Sequence, residues 1–353
     1  MRKTLMAAGA SAAIGLAANT LAPAKPAFAE DQLKVTSFGG AYQAALRKAY
    51  FEPFTKATGI KITEDEYNGE NAKIRAMVQS NTVSWDVVDA WPVWVPILCD
   101  EGIIERIDWK KLELDPTKFL GGDMYDCGVP SVTTATVIAY DKDKLPNGPK
   151  TIADFFDTKR FPGKRGLAKS AYYKLEWALI ADGVAVKDVY KVLNTAEGVD
   201  RAFKKLDTIK KDIIWFDTNA QAPQLLADGQ VVMVQALNGR IYDAVKNSGK
   251  HFEIMWDTQA REFGVWTILK GSPHRDAAYK FIAFASSPQV QANLTHYIPY
   301  GPANKDAIAL VDPTILPHLP NAPDHTNAWT VDSAFWNTKG EELRQRFTAW
   351  LAK

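Results

Sequence analysis

Side chains that commonly carry catalysis are sparse in this 353-residue sequence. No G-x-S-x-G, H-E-x-x-H, G-x-G-x-x-G or phosphate-loop motif fixes reacting groups at a defined spacing. The five histidines stand among Pro, Lys and Arg, which predicts surface loops or helix ends. Asp86 and Asp89 could form a carboxylate pair, but we expect one to cap a turn and the other to be solvated. Nothing in the sequence requires an enzyme.

Aromatic and polar residues recur instead at the turns between predicted strands and helices. Aromatic faces attract ammonium groups through cation–π contacts worth about 0.5–2 kcal/mol each. Any single ring among them is better explained by core packing, but the whole set, placed turn after turn, favours a ligand cleft. The candidate residues are Phe38, Gly39, Gly40, Tyr42, Trp91, Thr133, Thr134, Tyr173, Arg240, Phe263, Trp266 and Tyr300.

The clearest local pattern covers residues 33–59. Alternation over 33–37 predicts a strand, two glycines follow at Gly39 and Gly40, and a helix-period run from Ala41 ends at Gly59. A helix that opens directly after a strand points its free backbone N–H groups towards the mouth of a site. The alternative is an ordinary glycine turn of an α/β protein.

Strands and helices alternate along the rest of the chain, which predicts an α/β fold. In open α/β sheets, ligands bind at the carboxyl ends of the strands. Predicted strands cover 61–67, 85–90, 133–140, 213–216, 231–234 and 264–269. Predicted helices cover 72–81, 91–101, 196–211, 222–228, 241–246, 276–286 and 338–351, with a further apolar helix after Ser170.

Residues 1–29 are predicted to be a cleaved signal peptide. Arg2 and Lys3 precede an apolar run, and Ala27-Phe28-Ala29 forms an A-x-A cleavage site. Because this segment carries three basic and no acidic side chains, its removal changes the net charge from +1 to −2. A nearly neutral chain without a basic block argues against nucleic acid or anionic membranes as partners. The remaining length predicts two lobes.

Two cysteines, Cys99 and Cys127, would both reach an oxidising compartment after export. A disulfide between them would close a loop of about 27 residues and add roughly 3–4 kcal/mol to stability. Two free buried thiols are the alternative. The pair lacks the spacing and the number of ligands that a zinc site needs.

Several motifs, in order and spacing, resemble the periplasmic solute-binding proteins of ABC importers, of the spermidine/putrescine-binding type. The resemblance implies a type II periplasmic binding fold of two α/β lobes, each a mixed sheet flanked by helices, with the ligand cleft between them. Lobe 1 would comprise 30–138 plus 268–308, and lobe 2 would comprise 139–267 plus 309–353. The motifs lie at 37–42, 54–62, 85–88, 101–108, 161–166, 228–240 and 276–304.

The resemblance also implies site residues, with one departure from the polyamine pattern. Phe38, Tyr300 and Trp329 match positions that contact ligand in polyamine binders. Ser170, Tyr173 and Val265 stand where carboxylates are expected to grip the amines.

Arg240 stands where one type of polyamine binder has an aspartate. An arginine offers a two-pronged donor for a carboxylate, whereas it would repel a polyamine. The alternative for Arg240 is a surface residue at a helix start. Glu262 or Asp217 could serve the amine of the ligand.

We therefore expect a monomeric periplasmic binding protein that needs no cofactor and delivers its ligand to an inner-membrane ABC permease. The ligand would be a small amine that also carries a carboxylate, such as γ-aminobutyrate, another amino acid or an opine-like conjugate. Aromatic walls would hold its amine, and Arg240 with the backbone amides of 38–41 would bind its acid. A true putrescine or spermidine binder is the first alternative. An exported enzyme or a sensory binding module on the same fold is the second.

Overall fold

The computed structural model describes residues 32–353, apart from the side chains of residues 247 and 248. The predicted signal peptide lies outside the described residues. Within 32–353, no helix is both long enough and apolar enough to cross a membrane.

One ten-stranded sheet runs through the described part of the chain. Its strands are β1 (Gln32–Ser37), β2 (Lys61–Glu66), β3 (Val87–Ala90), β4 (Val129–Asp141), β5 (Arg165–Ala168), β6 (Ile213–Phe216), β7 (Met233–Leu237), β8 (Phe252–Ile268), β9 (Gly301–Pro302) and β10 (Ala328–Thr330). The strand order is β2-β1-β3-β8-β4-β7-β5-β6, with β9 on β4 and β10 on β8.

Helices cover both faces of this sheet. The α-helices are α1 (Gly40–Leu46), α2 (Glu52–Thr58), α3 (Asn71–Gln79), α4 (Val95–Asp100), α5 (Trp109–Leu112), α6 (Ile152–Phe156), α7 (Lys174–Ala181), α8 (Val189–Leu193), α9 (Ala196–Asp207), α10 (Gln221–Ala227), α11 (Asn238–Ser248), α12 (Arg275–Ala285), α13 (Pro288–Leu294) and α14 (Ser333–Leu351). A π-helical segment covers Arg47–Phe51, and 3-10 turns cover Pro92–Trp94, Pro116–Lys118, Val186–Asp188, Lys210–Asp212, Lys305–Leu310 and Leu316–His318.

Each end of the sheet repeats the same arrangement of three parallel strands. In lobe 1, β1 lies between β2 and β3, and in lobe 2, β5 lies between β6 and β7. Parallel strands linked by helices place all their carboxyl ends on one side of the sheet. The two sets of strand ends therefore provide the walls of a cleft.

The long antiparallel strands β4 and β8 connect the two lobes. Their pairing runs from Val129 opposite Trp266 to Asp141 opposite Phe252, with register shifts near residues 131 and 137. The lobe boundaries predicted at 138 and 267 fall inside these two strands.

The sequence prediction of β8 was too short, because it covered only 264–269. Residues 252–263 alternate poorly between buried and half-buried positions and therefore lack the period of two that identifies a strand. Pairing with β4 holds 252–255 and 260–263 extended, whereas 256–259 have no partner on β4 and include Thr258, whose φ is +53°. The strand predicted over 231–234 is also shifted, since β7 covers Met233–Leu237.

The opening pattern of the chain is confirmed. A helix follows β1 directly, and it ends at Gly59, whose φ of +78° is the left-handed conformation that glycine adopts readily. Between α1 and α2 the helix widens into a π-helical turn, which the sequence did not predict.

The last helix packs on α9 and β6. Phe347 and Trp350 of α14 contact Phe203 of α9 and Trp215 of β6. The helix begins at Ser333, earlier than the predicted Thr338, because the Asp332 side chain accepts a hydrogen bond from the Phe335 backbone amide and caps the first turn.

Cys99 and Cys127 form a disulfide, with their Cα atoms 5.7 Å apart. Of the two alternatives left open by the sequence, the bonded one is therefore correct. The bond ties the end of α4 to the segment that leads into β4.

Replacing both cysteines by alanine should lower the free energy of unfolding by about 3 kcal/mol, because the unfolded chain gains loop entropy. Urea unfolding of the wild type and the double variant measures this difference. The matched control is the wild type unfolded with a reductant, which should lose a similar amount. A loss below about 1 kcal/mol in both would contradict the prediction.

Candidate ligand cleft between the lobes

Three aromatic residues follow the three parallel strands of lobe 1. Phe38 comes directly after β1, Tyr67 after β2 and Trp91 after β3. Phe38 stacks on Tyr67 with 5.1 Å between ring centroids and lies 6.0 Å from Trp91. Trp91 is 38% exposed, which is unusual for so large an apolar side chain. These rings form an aromatic wall at the carboxyl edge of the lobe 1 sheet.

In lobe 2, the same edge carries polar and charged residues. The Tyr172-Tyr173 pair follows β5, and Asn238 and Arg240 follow β7. Asp217 follows β6 and is exposed. The strand ends of the two lobes thus differ in chemistry, since one set is apolar and the other polar.

Glu262 lies on β8 between the two lobes. Its carboxylate accepts hydrogen bonds from the hydroxyls of Tyr173 and Tyr172, the latter at 3.3 Å. Burial raises the pKa of Glu262 to about 7. Burial and then the nearby Glu262 also raise the pKa of Tyr125, a lobe 1 residue. Glu262 is therefore a carboxylate within reach of both lobes.

Arg240 brings a guanidinium group from lobe 2 to the first residue of α1 in lobe 1. Its Nη1 lies 3.7 Å from the position that a Cβ of Gly40 would occupy. Its Nε is buried and has no hydrogen-bond partner among residues 32–353. Burial raises the pKa of the neighbouring Tyr300 to about 12, although Arg240 works in the opposite direction.

The turn before Arg240 packs tightly on lobe 1. A Cβ at Gly239 would lie 2.5 Å from the Tyr300 ring and 2.8 Å from Ile298. The Asn238 side chain donates to the Pro299 carbonyl at 2.7 Å and accepts from the Ala135 amide at 3.2 Å. The turn that precedes Arg240 is therefore fixed by contacts with residues 298–300 and with β4.

Asp89 lies fully buried at the end of β3. Its Oδ2 accepts a hydrogen bond from the Tyr42 hydroxyl at 2.6 Å, and its backbone carbonyl accepts one from Tyr67. Burial raises the pKa of Asp89 to about 7. Tyr42 in turn lies 5.4 Å from Tyr300, ring to ring.

Our expectation that one of Asp86 and Asp89 is solvated was wrong. Asp86 is also buried, and it accepts hydrogen bonds from the Lys34 amide and the Ser272 hydroxyl. Tertiary contacts made with residues distant in sequence replace the solvent around both carboxylates.

The predicted site residue Trp266 lies in the protein core. Its side chain is fully buried in the core of lobe 1, between Tyr50 and Phe281. The reason is strand alternation, which turns Trp266 towards the helices while Val265 points to the other face.

Other predicted residues lie on the strands β4, β8 and β10. Thr134 lies opposite Glu262, so the two side chains share a face, whereas Thr133 and Phe263 pair on the other face. Trp329 is nearly buried, donates its indole N–H to the Thr258 carbonyl, and packs 6.4 Å from Tyr173.

The glycine turn at the start of α1 already has a carboxylate beside it. Glu66 Oε2 lies 2.5 Å from the position that a Cβ of Gly39 would occupy. A ligand carboxylate bound at the backbone amides that open α1 would be repelled by the Glu66 carboxylate. The geometry therefore favours Arg240 over the α1 amides as a carboxylate site.

The structure places predicted residues side by side in pairs: Phe38 with Trp91, Tyr42 with Tyr300, Gly40 with Arg240, and Tyr173 with Trp329. A hollow of about 500 Å³ on lobe 1, lined by Trp109, Phe119 and Lys305 among others, includes none of them. Sequence reasoning missed Tyr67 and Tyr172, although each follows a strand as Phe38 does, and that position was the available signal.

Two α/β lobes with an aromatic wall on one side and charged side chains on the other define a two-lobe solute-binding protein. The chain belongs to the bacterial extracellular solute-binding protein family, whose model matches residues 49–321. This confirms the resemblance drawn from the sequence motifs, and relatives of this family act in transport.

Similar proteins cover nearly the whole chain. The gamma-aminobutyric acid-binding protein of Pseudomonas aeruginosa is 48% identical over 94% of this chain and 95% of its own length. The structure of the Atu4243 GABA receptor is 36% identical with a TM-score of 0.81, covering 91% of this chain and 98% of the receptor. The binding protein MotA of A. tumefaciens B6, solved with glucopine, is 31% identical with a TM-score of 0.82, covering 91% and 99%.

Replacing Gly239 by alanine should destabilise the protein by about 1–3 kcal/mol, because the new methyl group overlaps the Tyr300 ring. Thermal and urea unfolding measure the loss. Gly340→Ala is the matched control, since a Cβ there lies 3.6 Å from Trp336, an ordinary contact, and should be neutral or stabilising. Equal stability of the two variants would contradict the close packing of Gly239 against Tyr300.

Proposed function

We propose that this protein is the periplasmic substrate-binding component of an ABC importer for a small solute that carries both a primary amine and a carboxylate. γ-Aminobutyrate is the solute that we favour. The observation that carries this proposal is the buried Arg240 Nε, which has no hydrogen-bond partner among the described residues, on a guanidinium that lies next to Gly40 of lobe 1. The likeness to γ-aminobutyrate-binding relatives supports the same solute.

The carboxylate of the solute would bind Arg240. A buried guanidinium nitrogen without a partner is costly, and a bound carboxylate supplies the missing acceptor. Two parallel N–H···O bonds from one guanidinium to one carboxylate give both strength and orientation. Tyr300, held beside Arg240, offers a hydroxyl next to the same position.

The ammonium group of the solute would bind at Glu262. Tyrosine rings and a carboxylate together suit a primary amine, because the carboxylate supplies charge and the ring faces add cation–π attraction. The aromatic wall of Phe38, Tyr67 and Trp91 would cover the methylene chain between the two charged ends.

A polyamine fits this pair of charges less well. Its second ammonium group would face Arg240, and burying like charges together costs several kcal/mol. The substitution of Arg240 for the acidic residue of a polyamine binder thus favours a zwitterionic solute over a dication.

The remaining parts of the proposal concern location and partners. The A-x-A signal and the disulfide support export to the periplasm, where such bonds persist. Membership of a solute-binding family supports delivery of the ligand to an inner-membrane permease. That the protein acts as a monomer is part of the proposal.

Replacing Arg240 by methionine should weaken γ-aminobutyrate binding at least about 30-fold, because the carboxylate loses its charged partner in a desolvated site. Arg240→Lys should recover only part of the affinity, since lysine lacks the planar two-pronged donor. Isothermal titration with γ-aminobutyrate, putrescine and glucopine measures all three proteins.

Arg201→Met is the matched control, because Arg201 pairs with Asp182 on the outer surface of lobe 2 and should leave binding unchanged. Binding of putrescine by wild type and Arg240→Met alike would replace our proposal with the polyamine alternative. Tight binding of glucopine but not γ-aminobutyrate would keep the carboxylate site and change the solute.

Affinity for γ-aminobutyrate should fall by up to about tenfold per pH unit below pH 7. In the free protein, the raised pKa of Glu262 leaves it protonated below about 7. A bound ammonium group requires the carboxylate, so binding must release that proton, and a lower pH opposes binding. Titrations between pH 5 and 8 measure the slope.

Glu262→Gln should bind weakly at every pH and should show a flat profile. This variant separates Glu262 from Asp89, whose pKa burial also raises to about 7. Glu253→Gln on the same strand is the matched control, because Glu253 also accepts a tyrosine hydroxyl, that of Tyr140, but at the far end of β8. A steep profile that survives in Glu262→Gln would assign the proton to another group.

A further inference from the structure

The turn that carries Tyr172 and Tyr173 has an uncommon backbone conformation. Tyr173 has a φ of +71°, in the region that residues with side chains rarely adopt. It precedes the first residue of α7 and makes no capping hydrogen bond with its side chain. A strained residue beside a cleft persists only where its surroundings hold it in place.

Lys174 holds the backbone of this turn. Its side chain is 1% exposed and folds back, so that Nζ donates to the Tyr172 carbonyl at 3.1 Å and the Ser170 hydroxyl at 3.3 Å. Burial lowers the pKa of Lys174. A cation at a helix N-terminus also opposes the helix dipole. Core packing does not account for an ammonium group in this position.

Glu176 holds the rings of the same pair through two aromatic neighbours. This fully buried residue accepts hydrogen bonds from the Trp336 indole at 2.8 Å and the Tyr190 hydroxyl at 3.0 Å. Trp336 packs on Tyr172 with 4.7 Å between ring centroids.

Tyr190 connects Glu176 to Tyr173 through the ring of Trp329. Tyr190 lies 6.1 Å from Trp329, which packs on Tyr173. Burial raises the pKa of Glu176. The network therefore encloses both tyrosines from behind the turn.

We propose that Lys174 and Glu176 are positioning residues that hold Tyr172 and Tyr173, and through them Glu262, in the geometry that binds the ammonium group of the solute. Neither residue touches the solute. The inference rests on the proposed function. It states that the affinity for the amine of the solute depends on buried residues behind the cleft. A residue with a structural role alone would change stability without changing the selectivity for the amine.

The test compares γ-aminobutyrate with 4-hydroxybutyrate, which keeps the carboxylate and replaces the amine by a hydroxyl. Lys174→Met should raise the Kd for γ-aminobutyrate about tenfold, as the loss of a supporting outer contact commonly does. The Kd for 4-hydroxybutyrate, measured by competition, should stay within about twofold because Arg240 is unaffected. Lys174→Gln should restore most of the affinity, since its amide N–H can still donate to the Tyr172 carbonyl.

Lys210→Met is the matched control, because Lys210 likewise donates to a backbone carbonyl, that of Trp350, on the far side of lobe 2. Glu176→Gln provides a second variant in case Lys174→Met does not fold, and it should lower γ-aminobutyrate affinity in the same direction. Melting temperatures identify the folded variants.

Wild-type affinity for γ-aminobutyrate in both Lys174→Met and Glu176→Gln would overturn the inference while leaving the proposed function intact. An equal loss for both solutes would also overturn it, because the effect would not be specific to the amine. A wild-type protein that binds neither solute would overturn the proposed function itself.

Discussion

The structure depends on the antiparallel pairing of β4 with β8, which passes from one lobe to the other. The parallel strands of lobe 1 attach to the end of β8 through β3, and those of lobe 2 attach to β4 through β7. The twist and register of this one ladder therefore determine how the two sets of strand ends face each other. Glu262 and Thr134 lie on the ladder where it crosses between the lobes. They are in reach of both lobes for that reason.

The charges of the cleft come from different parts of the chain and are not paired with each other in the described residues. Within residues 32–353, Arg240 keeps a buried nitrogen without an acceptor, and the donors to the Glu262 carboxylate are the hydroxyls of Tyr172 and Tyr173. Burying either charge alone is unfavourable. A zwitterionic solute would supply a partner for each, so the binding energy would come from charges that the protein has already placed.

In both lobes, buried polar groups hold the aromatic side chains that border the cleft. In lobe 1, Asp89 orients Tyr42, and Tyr42 packs on Tyr300 beside Arg240. In lobe 2, Lys174 and Glu176 surround the Tyr172-Tyr173 turn. Such groups reduce stability when considered one by one. Their hydrogen bonds restrict the rotamers of the side chains in front of them, which is what a selective site requires.

The sequence by itself determined the α/β class, the opening strand and helix, the family and the unusual position of Arg240, because these depend on local periodicity, glycine placement and residue identity. Only the tertiary structure decided that Trp266 packs in the core, that Asp86 and Asp89 are both buried, and that Glu262 faces two tyrosines. Side-chain direction along the irregular strand β8 depends on its register with β4, and that register joins residues more than 100 positions apart. No local pattern in the sequence carries this information.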